Sequence, residues 1–343
     1  MVEKKNTVFI DLLRILAAFL VIVNHTNSQI FLAETPDSPL WYLSLTWFSV
    51  SRIAVALFMM ITGYLMLDRP QSWRKTFYRA LRIFLVIPLF SLPHYILNLV
   101  HGTVEHPGIW DFLKTVYTTS MATGFWYLYL YLAVVICLPF IQKFAAACSK
   151  RDLLIYIGLA GIVATVLPFL EQYLPGTAPY GGFKPPMVNL YLLLMLLGYY
   201  FKKYPLTFRG VRIVCVGVYL LSLLGGIALS RWEYAASDGA SYLEAFHREH
   251  ITVVLPAAAT FCFWSTVPFG ERLGRFLRFW APLTFGVYLL SDLLIALTDA
   301  PYISLAAVIG RFPAMLIYEV GLFTAAALIT WVLKKIPLLK RLL

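Results

Sequence analysis

Residues 11–25 of the chain read DLLRILAAFLVIVNH. They form the centre of an apolar run over residues 8–30, and a helix needs about 20 largely apolar residues to cross a bilayer. The run is longer than the core of a signal peptide, which is about 7–15 residues, and no small-x-small cleavage site comes after it. We therefore expect a retained transmembrane helix.

The rest of the chain repeats this pattern. Of its residues 60% are hydrophobic and only 13% are charged, whereas about a quarter of a soluble chain is charged. This composition excludes a soluble enzyme, a disordered tail and a secreted disulfide scaffold. Nine further apolar runs cover residues 44–67, 79–100, 125–145, 153–170, 187–202, 212–230, 250–269, 281–299 and 312–334. The sequence predicts an all-α membrane protein, a polytopic bundle of about ten transmembrane helices forming one integral-membrane domain over residues 1–343.

The basic residues predict the orientation of this bundle. The net charge is +11, from 28 Lys and Arg against 17 Asp and Glu. Of these 28, 21 fall in alternate segments between the apolar runs, and four fall in the opposite set. Basic residues concentrate on the cytoplasmic side, so both termini are predicted to be cytoplasmic in a multi-pass protein. Because topology explains the charge, we expect no nucleic-acid partner.

Neither the cysteines nor the histidines predict a metal centre or a disulfide. No C-x-x-C pair occurs, and we expect four unpaired thiols packed as small apolar residues. The cysteines are Cys137, Cys148, Cys215 and Cys262. Glu244, His247 and His250 have ligand chemistry, but their E-x-x-H-x-x-H spacing is a weak metal signal. A wet loop surface is the expected role of these three residues.

Ionisable side chains inside a membrane helix are costly and therefore mark functional candidates. Arg14 and His25 are eleven residues apart, which is about 1100° of helix, so they share one face. The rise between them is about 16 Å, with Arg14 near the cytoplasmic side. Asp11 lies at the i, i+3 spacing of an ion pair with Arg14. The alternatives are a snorkelling Arg14 and a neutral His25 hydrogen-bonded to another helix.

Two further segments carry embedded or clustered cations. In SRIAVALFMMITGYLM (51–66), Arg52 reaches a depth comparable with His25. It could hold His25 as a base or bind a polar substrate group, or it could snorkel outward. Gly63 in the same run permits close helix packing. In RALRIFLVIP (79–88), Arg79 and Arg82 share a face, which suits a phosphate but also fits the cytoplasmic charge bias.

These segments, in this order and spacing, resemble the acyltransferase-3 family of bacterial integral-membrane O-acyltransferases. The Arg-x10-His of residues 14–25 resembles the opening signature of the family, and residues 51–66, 79–88, 125–139 and LTFGVYLL (283–290) support it. Short members, such as the O-acetyltransferase of enterobacterial common antigen, are the most similar in style. The sequence departs from the family at Ser291, where histidine is frequent and which Asp292 follows, and at Ala56, where proline is common.

The resemblance implies an enzyme of the bacterial inner membrane, an acetyl-CoA-dependent O-acetyltransferase. Its donor would be cytoplasmic acetyl-CoA or a similar acyl-CoA, with no permanently bound cofactor. Its acceptor would be a hydroxyl of a cell-surface or lipid-linked glycan on the outer side. Arg14, Arg79 and Arg82 would bind the CoA phosphates, His25 would be the general base, and Arg52 would stabilise the oxyanion or hold the sugar. Direct transfer and an acyl-histidine intermediate both fit.

Two other functions fit the same embedded charges. A polytopic transporter or flippase would use them to line a pathway for a glycan or small polar substrate, but the sequence shows no inverted repeat and no pair of broken helices. A transferase acting on an amino acid or antibiotic-like acceptor would share the architecture. Asp292 and Glu319 fall near mid-membrane, so each needs a partner or a proton.

Overall fold

The computed structural model describes residues 7–26, 34–174, 176–177, 179, 183, 185–239 and 242–343. Within these ranges the chain is α-helical with short 3-10 and π turns, and no β-strand is present. The predicted all-α class is confirmed. The first predicted helix is described only as far as Thr26, so its last residues, 27–30, lie outside the described residues.

The α-helices are numbered in chain order. The first eight are α1 (Val8–Thr26), α2 (Pro39–Ser51), α3 (Ala54–Met66), α4 (Trp73–Val100), α5 (Ile109–Thr118), α6 (Trp126–Ala147), α7 (Lys150–Gly161) and α8 (Leu167–Tyr173). The next eight are α9 (Leu190–Lys203), α10 (Val211–Ala236), α11 (Ile251–Ser265), α12 (Glu271–Trp280), α13 (Thr284–Leu297), α14 (Asp299–Ile309), α15 (Arg311–Leu333) and α16 (Pro337–Leu342).

Eight helical segments of the described chain are long and apolar enough to cross a membrane. They are Val8–Thr26, Pro39–Met66, Trp73–Val100, Thr123–Ala147, Lys150–Tyr173, Val211–Ala236, Glu271–Leu297 and Arg311–Leu333. The predicted runs 187–202 and 250–269 correspond to α9 and α11, which have only 14 and 15 residues. Asn189 caps α9 at its start, and α11 ends shortly before Pro268, which shortens both helices. The protein is a polytopic membrane protein: where the sequence predicts about ten spans, the described residues have eight helical segments long enough to cross a membrane and the shorter α9 and α11.

Side-chain caps fix where several of these helices begin. The Ser38 hydroxyl accepts the Trp41 N–H at 3.1 Å at the start of α2. Ser72 caps α4 in the same way, and Ser149 forms a reciprocal capping box with Asp152 at the start of α7. Each cap satisfies backbone N–H groups that the first helical turn leaves unpaired. These three helices therefore begin directly after a polar residue, serine, in the sequence.

The chain forms two compact units. Unit 1 comprises Met1–Pro70 and Gln142–Ala281, and unit 2 comprises Gln71–Ile141 and Pro282–Leu343. In unit 1, the backbones of α3 and α9 are in direct contact. A Cβ atom added to Gly63 would lie 1.8 Å from the Met195 carbonyl oxygen, and a Cβ atom added to Gly198 would lie 2.0 Å from the Met60 carbonyl oxygen. Only glycine permits this approach, which confirms the packing role predicted for Gly63.

Unit 1 also contains α1, which packs on α2, α3, α11 and α12, and the helix pair α10–α11. Cys215 and Cys262 pack in the core between α10 and α11, as predicted for small apolar side chains. All four cysteines lie in the described ranges and are unpaired, which confirms that prediction. Cys137 on α6 differs, because its side chain is exposed on the protein surface and not packed.

Unit 2 is organised around α13 and α15. Gly286 of α13 lies against Thr330 of α15, whose side-chain atoms would be within 2.8 Å of an added Cβ. α4 packs on α5, α13 and α16, and it contains Pro88 and Pro93, each of which removes a helical hydrogen bond. The 3-10 turn Thr123–Phe125 precedes α6 and packs on α13.

Candidate active site

The first candidate feature is the pair Arg14 and His25 on α1. The helix is continuous from Val8 to Thr26, so the predicted common face and the rise of about 16 Å both hold. Arg14 Nη1 lies 4.0 Å from Asp11 Oδ1, and the Arg14 side chain is 38% exposed in the protein. His25 is half-buried and lies in the last turn of the helix. The predicted ion pair is present but sits at the distance limit for such a contact.

Arg52 lies at a break in the second span. The α-helical pattern stops at Ser51 and resumes at Ala54, where the sequence predicts one continuous helix over 44–67. Both intervening residues keep right-handed backbone angles, and the Arg52 N–H bonds to the Ser49 carbonyl at 3.2 Å, as in a 3-10 turn. The local tightening places the Arg52 side chain at the junction of α2 and α3.

The Arg52 guanidinium is held from three sides. Its Nη1 donates to Asn24 Oδ1 at 2.7 Å, its Nε donates to the Phe246 carbonyl at 2.8 Å, and its Cζ lies 5.3 Å from the centre of the Phe48 ring. These contacts hold the Arg52 side chain against other segments of unit 1. Asn24 directly precedes His25, and unit 1 thus brings Arg52 to the end of α1 that carries the predicted base.

Arg79 and Arg82 belong to unit 2. Arg79 Nη1 donates to the Gln71 side-chain oxygen. Arg82 Nε donates to the Leu342 carbonyl at 2.8 Å, and its Cζ lies 5.5 Å from the centre of the Phe285 ring. Each of these hydrogen bonds uses one of the five N–H donors of a guanidinium, and both side chains are exposed. The pair shares a helical face as predicted, and its role in CoA binding stays a prediction.

Asp292 has a partner in unit 2, as the sequence requires. Its Oδ2 accepts the Gly124 N–H at 2.6 Å, and the Tyr288 hydroxyl one turn earlier donates to the Gly124 carbonyl at 2.6 Å. The two side chains fix the turn before α6 on α13. Ser291, where the family often has histidine, donates to the Tyr288 carbonyl at 3.0 Å and is buried. His94 packs on Phe125, and its buried Nε2 has no hydrogen-bond partner among the described residues.

Glu319 of α15 is fully buried in unit 2. The outer-loop residues of the weak metal signal lie in unit 1, where His247 is exposed and His250 is buried, with their ring centres 5.6 Å apart. Within the described residues no three His, Cys, Asp or Glu side chains form a group suited to a metal ion. Burial of His250 shows that the segment is not simply a wet loop surface.

Sequence reasoning missed both hydrogen-bond partners of Arg52, Asn24 and Phe246, and also the pair Tyr173 and Glu233. Asn24 stands inside the run of residues 11–25, next to His25, and an amide at that depth is the signal that could have marked it. Phe246 acts through its backbone carbonyl, which no side-chain pattern reveals. The Tyr173 hydroxyl donates a partly buried hydrogen bond to Glu233, which is 5% exposed near the end of an apolar helix. Glu233 follows the predicted run 212–230, and the sequence does not show that the helix continues to Ala236.

Unit 1 also contains an open cavity of about 780 Å³. Aromatic side chains line one part of it and Lys202 and Arg212 another. Within the described ranges the lining includes none of the predicted site residues, although Phe9 belongs to α1. The cavity is therefore a feature of unit 1 separate from Arg14, His25 and Arg52.

The multi-pass α-helical fold defines a polytopic membrane protein whose first two candidate spans carry Arg14, His25 and Arg52. The chain belongs to the acyltransferase-3 family: the acyltransferase domain matches residues 7–341, which include both units. No curated protein and no solved structure matches the chain. Membrane acyltransferase activity is the function that this membership supports. That the whole chain acts as one domain stays a prediction.

Proposed function

We propose that the protein transfers an acetyl group from cytoplasmic acetyl-CoA to a hydroxyl of a cell-surface or lipid-linked glycan on the outer side of the membrane. The observation that carries this proposal is the hydrogen bond from Arg52 to Asn24, because it fixes a cation beside the residue that precedes His25. A base and a fixed cation at one end of α1 are the two groups that acyl transfer to an alcohol needs.

The proposed chemistry is addition to a thioester. His25 takes the proton of the acceptor hydroxyl as its oxygen attacks the acetyl carbonyl carbon, forming the new C–O bond. The carbonyl oxygen becomes an oxyanion, and Arg52 donates to it or to the bound sugar. Collapse of this intermediate breaks the C–S bond, and the CoA thiolate leaves and receives the proton from His25. A base of this kind contributes about 10²–10⁴-fold to the rate.

Three arginines are proposed to bind the donor. Arg14 lies about 16 Å along α1 from His25, a separation that the extended pantetheine arm of CoA can span. Arg79 and Arg82 present a two-pronged cationic surface on α4, suited to phosphate groups. No permanently bound cofactor is needed, because acetyl-CoA is consumed as a substrate.

We further propose an inner-membrane location with both termini in the cytoplasm, on the basis of the uneven distribution of basic residues. In this orientation Ser38, which begins α2, faces outside, and Ser72, which begins α4, faces the cytoplasm. A membrane-impermeant maleimide added to intact cells should label Ser38→Cys and not Ser72→Cys. The reverse pattern would contradict the orientation.

The activity is tested with radiolabelled acetyl-CoA and membranes of the native host. Label should enter the polysaccharide or lipid-linked saccharide fraction when the protein is present, and not in a deletion strain. The O-antigen and the enterobacterial common antigen are the first fractions to separate, given the resemblance to short members of the family. If the deletion strain no longer exported the glycan but kept the same CoA-dependent labelling, the transporter alternative would be favoured.

A further inference from the structure

A buried carboxylate, Glu233, lies near the end of α10 with 5% of its surface exposed. Burial of a carboxylate is unfavourable unless hydrogen-bond donors surround it. Three donors do so in unit 1: the Tyr173 hydroxyl, the Glu244 N–H at 3.1 Å and the Ala245 N–H. The proposed chemistry uses none of these groups, so the arrangement needs another explanation.

Tyr173 reaches Glu233 because of an irregularity in its own helix. A π turn over Ile162–Val166 separates α7 from α8, and one extra residue in a turn rotates the rest of the helix by about 100°. On the resulting face of α8, Phe169 and Tyr173 pack on the His250 ring, with ring centres 5.7 and 6.2 Å from it. The π turn thus directs the Tyr173 hydroxyl at the carboxylate.

Glu233 anchors the 3-10 turn Glu244–Phe246, which we call the anchored turn. Its N-terminal N–H groups donate to Glu233, a favourable place for a negative charge. The Ser230 hydroxyl donates to the Tyr242 carbonyl just before the turn, and the Thr252 hydroxyl donates to the Ala245 carbonyl within it. The anchored turn is therefore fixed to α10 and α11 and not left as a mobile loop.

The far end of the anchored turn meets Arg52. Phe246 is 2% exposed and packs with Trp41, Leu45 and Phe48, while its carbonyl accepts the Arg52 Nε–H at 2.8 Å. The connection thus runs from Tyr173 and Glu233 through the backbone of the turn to Arg52, and from Arg52 to Asn24 beside His25.

We infer that Glu233 is a positioning residue: it holds the anchored turn so that the Phe246 carbonyl fixes the Arg52 guanidinium beside the end of α1. Its effect on acyl transfer rests on the proposed function, in which Arg52 serves the reacting groups. The fixing of the anchored turn by Glu233 does not depend on the proposed function, so the effect on the turn and the effect on acyl transfer can be measured separately.

The first experiment tests the hold on the turn without any activity. Ala245 is fully buried, so Ala245→Cys in a chain whose four native cysteines are replaced by alanine reports opening of the turn. A membrane-impermeant maleimide should label this cysteine about tenfold faster when Glu233→Gln is added, because glutamine cannot accept all three donors. Glu171→Gln is the matched control: an exposed carboxylate on the same helix as Tyr173.

The second experiment asks whether Glu233 acts through Arg52. Initial rates of acetyl transfer from labelled acetyl-CoA to the host glycan fraction are measured for Glu233→Gln, Arg52→Lys and the double variant. We expect each single variant to lower the maximal rate about tenfold while the KM for acetyl-CoA stays within about twofold. The double variant should be no slower than Arg52→Lys, because the two residues act in one chain of contacts.

The outcomes separate the two hypotheses. An unchanged labelling rate of Cys at position 245, or rate losses that multiply in the double variant, would overturn the role of Glu233. Should Glu233→Gln fail to fold in detergent, Tyr173→Phe removes only one donor, and the same two measurements apply to it with smaller effects. A wild-type protein that transfers no acetyl group would overturn the proposed function, and the labelling result would still decide what holds the turn.

Discussion

Arg14 and Arg52 are both embedded cations of unit 1, yet their surroundings differ. Among the described residues, Arg14 lies 4.0 Å from the Asp11 carboxylate and keeps 38% of its side chain exposed. Arg52 makes hydrogen bonds of 2.7 and 2.8 Å to two different segments and packs against an aromatic ring. The Arg14 guanidinium is thus loosely paired and partly exposed, whereas the Arg52 guanidinium is fixed by contacts within the protein.

This difference suits the two ends of an acyl transfer. A phosphate-bearing donor must enter and leave, so a loosely paired arginine at its entrance is appropriate. A group that stabilises a developing charge works best when its orientation is set in advance, since no reorganisation is then needed during the reaction. We expect substitutions at the His25–Arg52 end to lower the maximal rate and those at the Arg14 end to weaken donor binding.

The largest expected effect is that of His25→Ala. Under the proposed mechanism this substitution removes the general base, so it should lower the maximal rate of acetyl transfer by about 10²–10⁴-fold and leave the KM for acetyl-CoA nearly unchanged. The measurement is the initial rate with labelled acetyl-CoA at saturating donor. His101→Ala, an exposed histidine beyond α4, is the control and should retain full activity. A His25→Ala enzyme that works at the wild-type rate would show that His25 is not the general base.

Arg52→Ala should rank second, with a loss of about 10²–10³-fold in the maximal rate, as for removal of one oxyanion donor. Because the substitution also leaves the Phe246 carbonyl and Asn24 without a partner, the melting temperature in detergent should fall. Arg52→Lys keeps the charge but cannot reproduce both hydrogen bonds, so its maximal rate should lie between those of the wild type and Arg52→Ala. If Arg52→Ala changed only the KM for acetyl-CoA, the two arginines would not differ in role.

Arg14→Ala should raise the KM for acetyl-CoA about tenfold, with little change in the maximal rate, because one charge-assisted contact to phosphate is lost. Its melting temperature should remain close to wild type, since an exposed ion pair at this distance contributes little. Asp11→Asn tests the same pair from the other side and should not weaken donor binding. A large loss of maximal rate in Arg14→Ala would contradict the division of roles.

The smallest effect concerns an ion pair outside the spans. Asp68 lies 3.0 Å from Lys203 and 3.4 Å from Lys202. Partial burial would raise the pKa of Asp68, but the hydrogen bond from Lys203 and the two positive charges outweigh it and hold the pKa below its usual range. A carboxyl group with a lowered pKa stabilises the fold at pH values above its pKa in the unfolded chain, about 3.9. This stabilisation is lost as the pH falls through the lower pKa of the folded state.

Asp68→Asn should therefore be less stable than wild type at pH 6, by less than about 1 kcal/mol because the pair is partly exposed. The difference in melting temperature should shrink as the pH approaches 3. Thermal unfolding in detergent at several pH values measures it. A difference that is independent of pH would show that the ion pair does not cause it.

Most of the fold could be predicted from the sequence, because hydrophobic runs and caps are local signals. Each of the ten predicted runs is helical in the described chain, but the shortness of α11 is not predicted, since it depends on a following proline. The junction at Arg52 was missed as well. Its sequence has no glycine or proline that would mark it, and the side chains packed around it determine its geometry.

The sequence by itself determined that the chain spans the membrane and that Arg14 and His25 share a face, because both follow from the composition and period of one helix. Only the tertiary structure decided what Arg52 contacts. Its partners lie 28 and 194 positions away along the chain, and one of them is a backbone carbonyl. Helical periodicity reaches only a few turns, so contacts between distant segments depend on how the helices of unit 1 pack.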